Sequence, residues 1–324
     1  MSTQSERLPT KAERDLTPWI VAHRPAKATV NPWEPNGFFL EDERSATGEI
    51  LRCAGVLLTN KECPWHCLMC DLWKHTLAQT VPPGGIAAQI NHALTRLEGR
   101  PEQIKLYNSG SFFDPGAIPP DDYPAIAETI ACARHVVVEA HPRLIGEKAL
   151  RFRDLLNGSL EVAMGLETVH PEVLPRLNKR FTLEQFAASV EFLRKHGIQV
   201  RAFVLVKPPF LKDGEAIDWA VKSARFAFDC GAGVVSLIPT RLGNGALDLL
   251  MRSGEFSPPS LSTLERSQEG CLALNSGRVF ADTWDLEQFS SCGVCFQQRR
   301  QRLHSINLSQ KVLPPVSCAH CQGT

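Results

Sequence analysis

Short apolar runs rich in β-branched residues recur along the chain at positions 56–59, 104–108, 136–139, 160–165, 200–206 and 234–238. Helix-like stretches lie between them, near 86–97, 122–133, 143–156, 182–196 and 215–229. The clearest helix opens at Thr182-Leu-Glu-Gln, where Thr182 as N-cap and Gln185 three residues on form a capping box. Gly197, a residue suited to the position just past a helix, closes it, and the next run starts at once. Strands separated by helices pair in parallel through right-handed crossovers. Six such units predict an α/β fold, either an open doubly wound sheet or most of a (β/α) barrel. In both, functional side chains gather where the strands end. Residues 1–50 are Pro-rich and aromatic, as in Asn31-Pro-Trp-Glu-Pro-Asn-Gly-Phe-Phe39, and show little periodicity. They are expected to form an extension wrapped on the core. No internal repeat or low-complexity tract interrupts the pattern.

Length and composition narrow the class. A chain of 324 residues makes one large domain or two small ones, since single cores stop growing near about 250–300 residues. A hydrophobic share of 43% with 22% charged residues is that of a globular chain. Lys plus Arg and Asp plus Glu both number 35, so the surface as a whole is no magnet for nucleic acid or membrane. The first fifteen residues are polar and mixed in charge, and no run of about 18 apolar residues follows. No membrane span is therefore expected, and the expected compartment is cytoplasmic and reducing, where cysteines act as ligands or core residues rather than as disulfides.

There are 11 cysteines. Cys53, Cys132, Cys230 and Cys271 stand alone among apolar or small neighbours and read as core residues. The other seven form two groups. The first, Glu62-Cys63-Pro-Trp-His-Cys67-Leu-Met-Cys70, is a C-x3-C-x2-C loop directly after the first run. Three thiolates leave one iron of a 4Fe–4S cubane without a protein ligand, whereas electron-transfer clusters normally have four. An open iron is an open coordination site. Zinc held by three cysteines and His66 is the structural alternative.

This loop resembles that of the radical S-adenosylmethionine (SAM) superfamily, and the resemblance extends over residues 50–260. It implies a partial (β/α)6 TIM-like barrel with an N-terminal extension (1–50), a core (51–260) and a small Cys-rich C-terminal region (261–324). Lys105-Leu-Tyr-Asn-Ser-Gly-Ser-Phe-Phe-Asp114 stands where the family has its glycine-containing motif for the SAM amino group, which points to Ser109 and Gly110. Glycine there lets a ligand approach the backbone closely. Val136-Val-Val-Glu139-Ala-His-Pro and Met164-Gly-Leu-Glu167-Thr each place a carboxylate at a strand end, and Leu177-Asn-Lys179-Arg180 follows the second. The resemblance implies SAM contacts from Glu139, from Glu167 on the ribose, and from Lys179 near the SAM carboxylate. Met69 departs from the family, which usually carries an aromatic residue before the third cysteine; a thioether fills such a gap softly.

Gly-Leu-Glu-Thr and Lys207-Pro-Pro look most like the branch containing the elongator catalytic subunit, methylthiotransferases and the radical enzymes of archaeosine synthesis. The chemistry so implied is reductive cleavage of SAM to methionine and a 5′-deoxyadenosyl radical that takes hydrogen from a substrate. A tRNA nucleoside, a peptide and a small molecule are all open as substrates, with flavodoxin or ferredoxin as electron donor. A non-catalytic, metal-containing binding scaffold on the same barrel is the rival reading.

The second group, Cys292-Gly-Val-Cys295 and Cys318-Ala-His-Cys321, is a pair of C-x2-C knuckles separated by 22 residues. Two knuckles complete a tetrahedral four-sulfur site, for zinc or for an auxiliary iron–sulfur cluster. From Gln288 onward there is no Asp or Glu, while Arg299, Arg300, Arg302 and Lys311 add positive charge. That charge suits either an RNA-binding tail or neutralisation of a metal–thiolate centre. His66, His304 and His320 read as bystanders.

Overall fold

The computed structural model describes residues 15–321; the polar start of the chain and residues 322–324 lie outside the described residues. After a short helix, α1 (Thr17–Ala22), the strands β1 (Gly37–Arg44) and β2 (Ile50–Leu57) form a hairpin that opens an eight-stranded sheet. The remaining strands are β3 (Gln103–Tyr107), β4 (His135–Ala140), β5 (Ser159–Glu167), β6 (Gln199–Val206), β7 (Val234–Pro239) and β8 (Arg278–Ala281). They follow one another in chain order, and every pair from β2 onward is parallel. The helices α2 (Gly85–Leu94), α3 (Tyr123–Thr129), α4 (Glu147–Arg153), α5 (Val173–Arg176), α6 (Leu183–Lys195), α7 (Ala216–Cys230), α8 (Ala246–Arg252) and α9 (Leu261–Leu272) occupy the crossovers, and α10 (Phe296–Ser309) follows β8. The result is an α/β half-barrel. The six expected strand–helix units are all present, and the Thr182–Gln185 capping box opens α6 as read.

Alternate strand residues face opposite sides. Val56, Leu106, Val138, Val162, Val204 and Leu237 face outward into the main core beneath the helices. The inner face is different, because it carries buried charge. Glu43 of β1 accepts from Lys105 Nζ of β3 at 2.6 Å and from Arg201 Nη2 of β6 at 2.6 Å. Arg201 Nε donates to Glu161 of β5 at 2.6 Å, and Lys105 also reaches Glu41 at 2.5 Å. These pairs tie β1 to strands across the lumen. Removing one partner of such a buried pair typically costs about 3–5 kcal/mol, because it strands the other charge.

Two strands lie outside the expected units. β1 belongs to the stretch read as a wrapped, aperiodic extension, and the structure corrects that reading: it is an antiparallel strand paired with β2 over eight residues. Glu41 and Glu43 look like surface residues in sequence yet point into the barrel. Gly55 makes room for this packing, since a Cβ there would fall 2.1 Å from the Phe39 ring. β8 is four residues long, and its outer edge is covered by α10. Asn307 accepts from Ala281 N and donates to Ala281 O; Gln310 does the same with Val279. Two side-chain amides thus replace a neighbouring strand on an edge that would otherwise pair with foreign chains.

Candidate active site

The Cys63–Cys70 loop leaves the C-terminal end of β2 and is fastened from four sides. Trp65 stacks on His141, which follows β4, with ring centroids 3.8 Å apart and planes within 5°. Asn178 Nδ2 donates to the His66 carbonyl at 2.7 Å, and Leu68 N donates to Leu177 O at 2.9 Å. Asn244, in the loop after β7, donates to the carbonyls of Leu68 (2.8 Å) and Cys70 (3.3 Å). The Ser109–Gly110 turn after β3 presses on the first cysteine: a Cβ at Gly110 would lie 3.1 Å from Cys63 Cβ. Glycine is needed there for closeness.

All three thiols are unpaired. Burial pushes the Cys63 thiol up to about 12 and the Cys70 thiol to about 11, and raises that of Cys67 as well. Each sits in the field of a neighbouring thiol or carboxylate, so a positive centre among them displaces their protons. Lys179 supplies part of that positive field. Burial opposes its charge, but Glu167 and the Cys67 and Cys70 thiols raise it above the usual lysine value. His66 does not join the cysteines; its Nε2 lies 3.7 Å from Glu62, which also pairs with Arg24 and Lys27.

Glu139 is fully engaged by the turn. Its carboxylate accepts from Asn108 N at 2.5 Å and from the amides of Ser109 and Gly110. Burial lifts its carboxyl to about 7, against the pull of those three amides. Glu139 therefore fixes the turn that faces Cys63. Glu167 has a left-handed φ of +64° beside a register shift in β5 and pairs with Lys179. Gly165 leaves the room for this pair, since a Cβ there would fall 1.9 Å from Lys179 Nζ. Met69 is half-buried against the apolar residues around Phe210 and Leu177.

Four residues that sequence reasoning did not single out complete the site: Asn108, His141, Asn178 and Asn244. Three of them lie within one or two residues of Ser109, Glu139 and Lys179, and Asn244 stands in a Gly-Asn-Gly stretch. Asn108 is 0% exposed, yet neither atom of its side-chain amide has a partner; Ser111 Oγ and Asn60 Oδ1 are likewise buried and unpartnered. Buried polar atoms of this kind call for a polar ligand or water. The unpartnered polar atoms near the three-cysteine loop suit a polar ligand, and the three thiols are the kind of donor set that would hold an iron–sulfur cluster.

In the tail, the sulfurs of Cys292, Cys295, Cys318 and Cys321 all lie within 4.8 Å of one another, an arrangement that can hold a metal ion. Two of the tail's cations are spent on α9. Arg299 pairs with Glu265 at 2.5 Å, and Arg302 with Glu269 at 2.6 Å. Carboxylates of α9, 59 and 55 residues before the chain's last residue, thus pair with two of the four cations in the charge run.

A curled, mainly parallel sheet with a three-cysteine loop after its first parallel strand is a fold that this chain shares with solved radical SAM enzymes. No family profile matches the chain. It is 25% identical over 283 residues to archaeosine synthase subunit beta of Methanosarcina acetivorans, a match covering 82% of this chain and 81% of that one. Among solved structures it is similar to methylornithine synthase PylB (TM-score 0.53, 13% identity, 77% of this chain and 67% of that chain). It is also similar to Elp3 of Methanocaldococcus infernus with its N-terminus deleted (TM-score 0.50, 14% identity, 70% and 62%), so it spans less than two thirds of that Elp3 chain. Structural likeness at identities this low shows a shared fold alone. Among the described residues, no helix is long and apolar enough to cross a membrane.

Proposed function

We propose that this chain is a radical SAM enzyme acting on a tRNA nucleoside. One observation carries the first part: three half-buried free cysteines share one loop pressed against the Ser109–Gly110 turn, next to the unpartnered amide of Asn108. Cys63, Cys67 and Cys70 would hold the cluster. When bound, cluster and SAM together supply reductive cleavage to methionine and a 5′-deoxyadenosyl radical, which takes hydrogen from an unactivated carbon.

The chain's own residues provide position and charge. Glu139 locks the Ser109–Gly110 turn, and the Glu167–Lys179 pair offers an acceptor for ribose hydroxyls and a cation for the SAM carboxylate. Met69 stands at the family's aromatic position. The apolar shell around Leu68, Phe210 and Leu177 keeps water from this end of the barrel. The tRNA substrate rests on the likeness to archaeosine synthase subunit beta. We take the electron donor to be flavodoxin or ferredoxin, and the compartment to be the cytoplasm.

The test is anaerobic turnover of the iron-reconstituted protein with SAM and a strong reductant. The expected result is 5′-deoxyadenosine and methionine in equal amounts, none from a variant lacking Cys63, Cys67 and Cys70, and faster formation with bulk tRNA. Equal output from that variant overturns the enzyme reading. Output that tRNA leaves unchanged overturns the substrate alone. A mere binding scaffold yields no 5′-deoxyadenosine at all.

A further inference from the structure

The tail thiols and the seam of the half-barrel belong together. We propose that Cys292, Cys295, Cys318 and Cys321 bind a single zinc ion in a closed tetrahedral site that clamps α10 over the gap between β8 and β1. Zinc–thiolate bonds of about 2.3 Å set tetrahedral sulfur pairs about 3.8 Å apart. Cys295 and Cys321 stand 3.6 Å apart, and all four sulfurs fall within 4.8 Å. A 4Fe–4S cluster holds four cysteines on separate irons and a 2Fe–2S cluster splits them two and two, with sulfide between, so either spreads the set of four wider than a single ion does.

Each knuckle is built for a thiolate. The amides of Val294 and Cys295 point at the Cys292 sulfur, and those of His320 and Cys321 at Cys318. Cys292 and Cys295 are 6% and 2% exposed, while Cys318 and Cys321 are half-buried, so the first knuckle lies inside and the second covers it. Four thiolates on one dication leave two negative charges. Arg299 bonds to the Cys295 sulfur while held by Glu265, an outer contact that fixes the ligand and offsets charge.

The mechanical role follows from where the knuckles sit. Cys295 caps the start of α10, and the tail returns along that helix, with Arg302 donating to the carbonyls of Leu313 and Pro314. An ion joining Cys295 to Cys321 closes this loop around the helix. The paired steps Glu265–Arg299 and Glu269–Arg302 show that α10 runs alongside α9 in the same direction. Its far end holds β8 through Asn307 and Gln310, and receives Arg44 of β1 on the Leu308 carbonyl at 3.2 Å.

The test uses full-length protein carrying Cys63→Ala, Cys67→Ala and Cys70→Ala, so that any metal found belongs to the tail. One zinc per chain without sulfide is expected, and it is lost when Cys292→Ser and Cys295→Ser are added. Iron with sulfide, or no metal after purification without chelators, overturns the proposal. Should the five-site variant fail to fold, cobalt substitution in the three-site protein decides: the intense spectrum of tetrahedral thiolate cobalt supports it, and an octahedral spectrum overturns it. Hydrogen exchange across residues 296–309 reads the clamp, with exchange rising at least tenfold on zinc removal. Unchanged exchange overturns the clamping role.

Discussion

His141 shows how a side chain can serve a reactive loop without touching the chemistry. Its Nδ1 accepts from Arg143 N at 3.2 Å, so the proton sits on Nε2 and is donated to Lys179 O at 2.9 Å. Burial, with Lys179 and Arg143 nearby, pushes the ring down to about 3, and it faces Trp65 as a neutral platform. An unfolded histidine titrates near 6.5. Between about 6.5 and 3 the unfolded chain binds the extra proton, so this residue's contribution falls as pH drops through that window. The urea midpoint of the wild type is expected to decline more steeply from pH 6.5 to 4 than that of His141→Gln. Parallel curves would refute the assignment. Residues of this sort are hard to read in sequence: Glu139-Ala-His-Pro announces a strand-end acid, while the value of the histidine depends on a tryptophan 76 residues earlier.

At the scale of elements, the parallel units were legible because each outward face repeats β-branched residues at a period of two, and because Thr182 and Gln185 mark a helix start by local chemistry. β1 was not. Glu41, Glu43 and Arg44 lower its apparent hydrophobicity, and only Lys105 and Arg201, far along the chain, make burying those acids tolerable. β8 is hidden in the sequence for a related reason. Four residues give too short a period, and its edge is completed by amides from α10 rather than by another strand. Losing both Asn307 contacts leaves the Ala281 amide and carbonyl without partners, a cost of about 1–3 kcal/mol. Asn307→Ala is therefore expected to lower the unfolding midpoint and to speed amide exchange at Val279–Ala281. Exchange confined to the wild-type rate would show that α10 does not seal that edge.

Across the whole molecule, charge and fold divide the labour. The inner face near the strand starts is closed by Glu43, Lys105, Arg201 and Glu161, and the strand ends carry the thiols, the Ser109–Gly110 turn and the Glu167–Lys179 pair. Three cysteines in one loop already implied an open iron from sequence. What sequence hid was the fastening of that loop by Asn178, Asn244 and His141, since those contacts join segments that only the curled sheet brings together. The central claim is that a cluster on Cys63, Cys67 and Cys70 offers one iron to SAM. Mössbauer spectra of protein reconstituted with iron-57 address it directly. The expected result is that saturating SAM shifts the parameters of one iron in four; four irons left unchanged by SAM would contradict it.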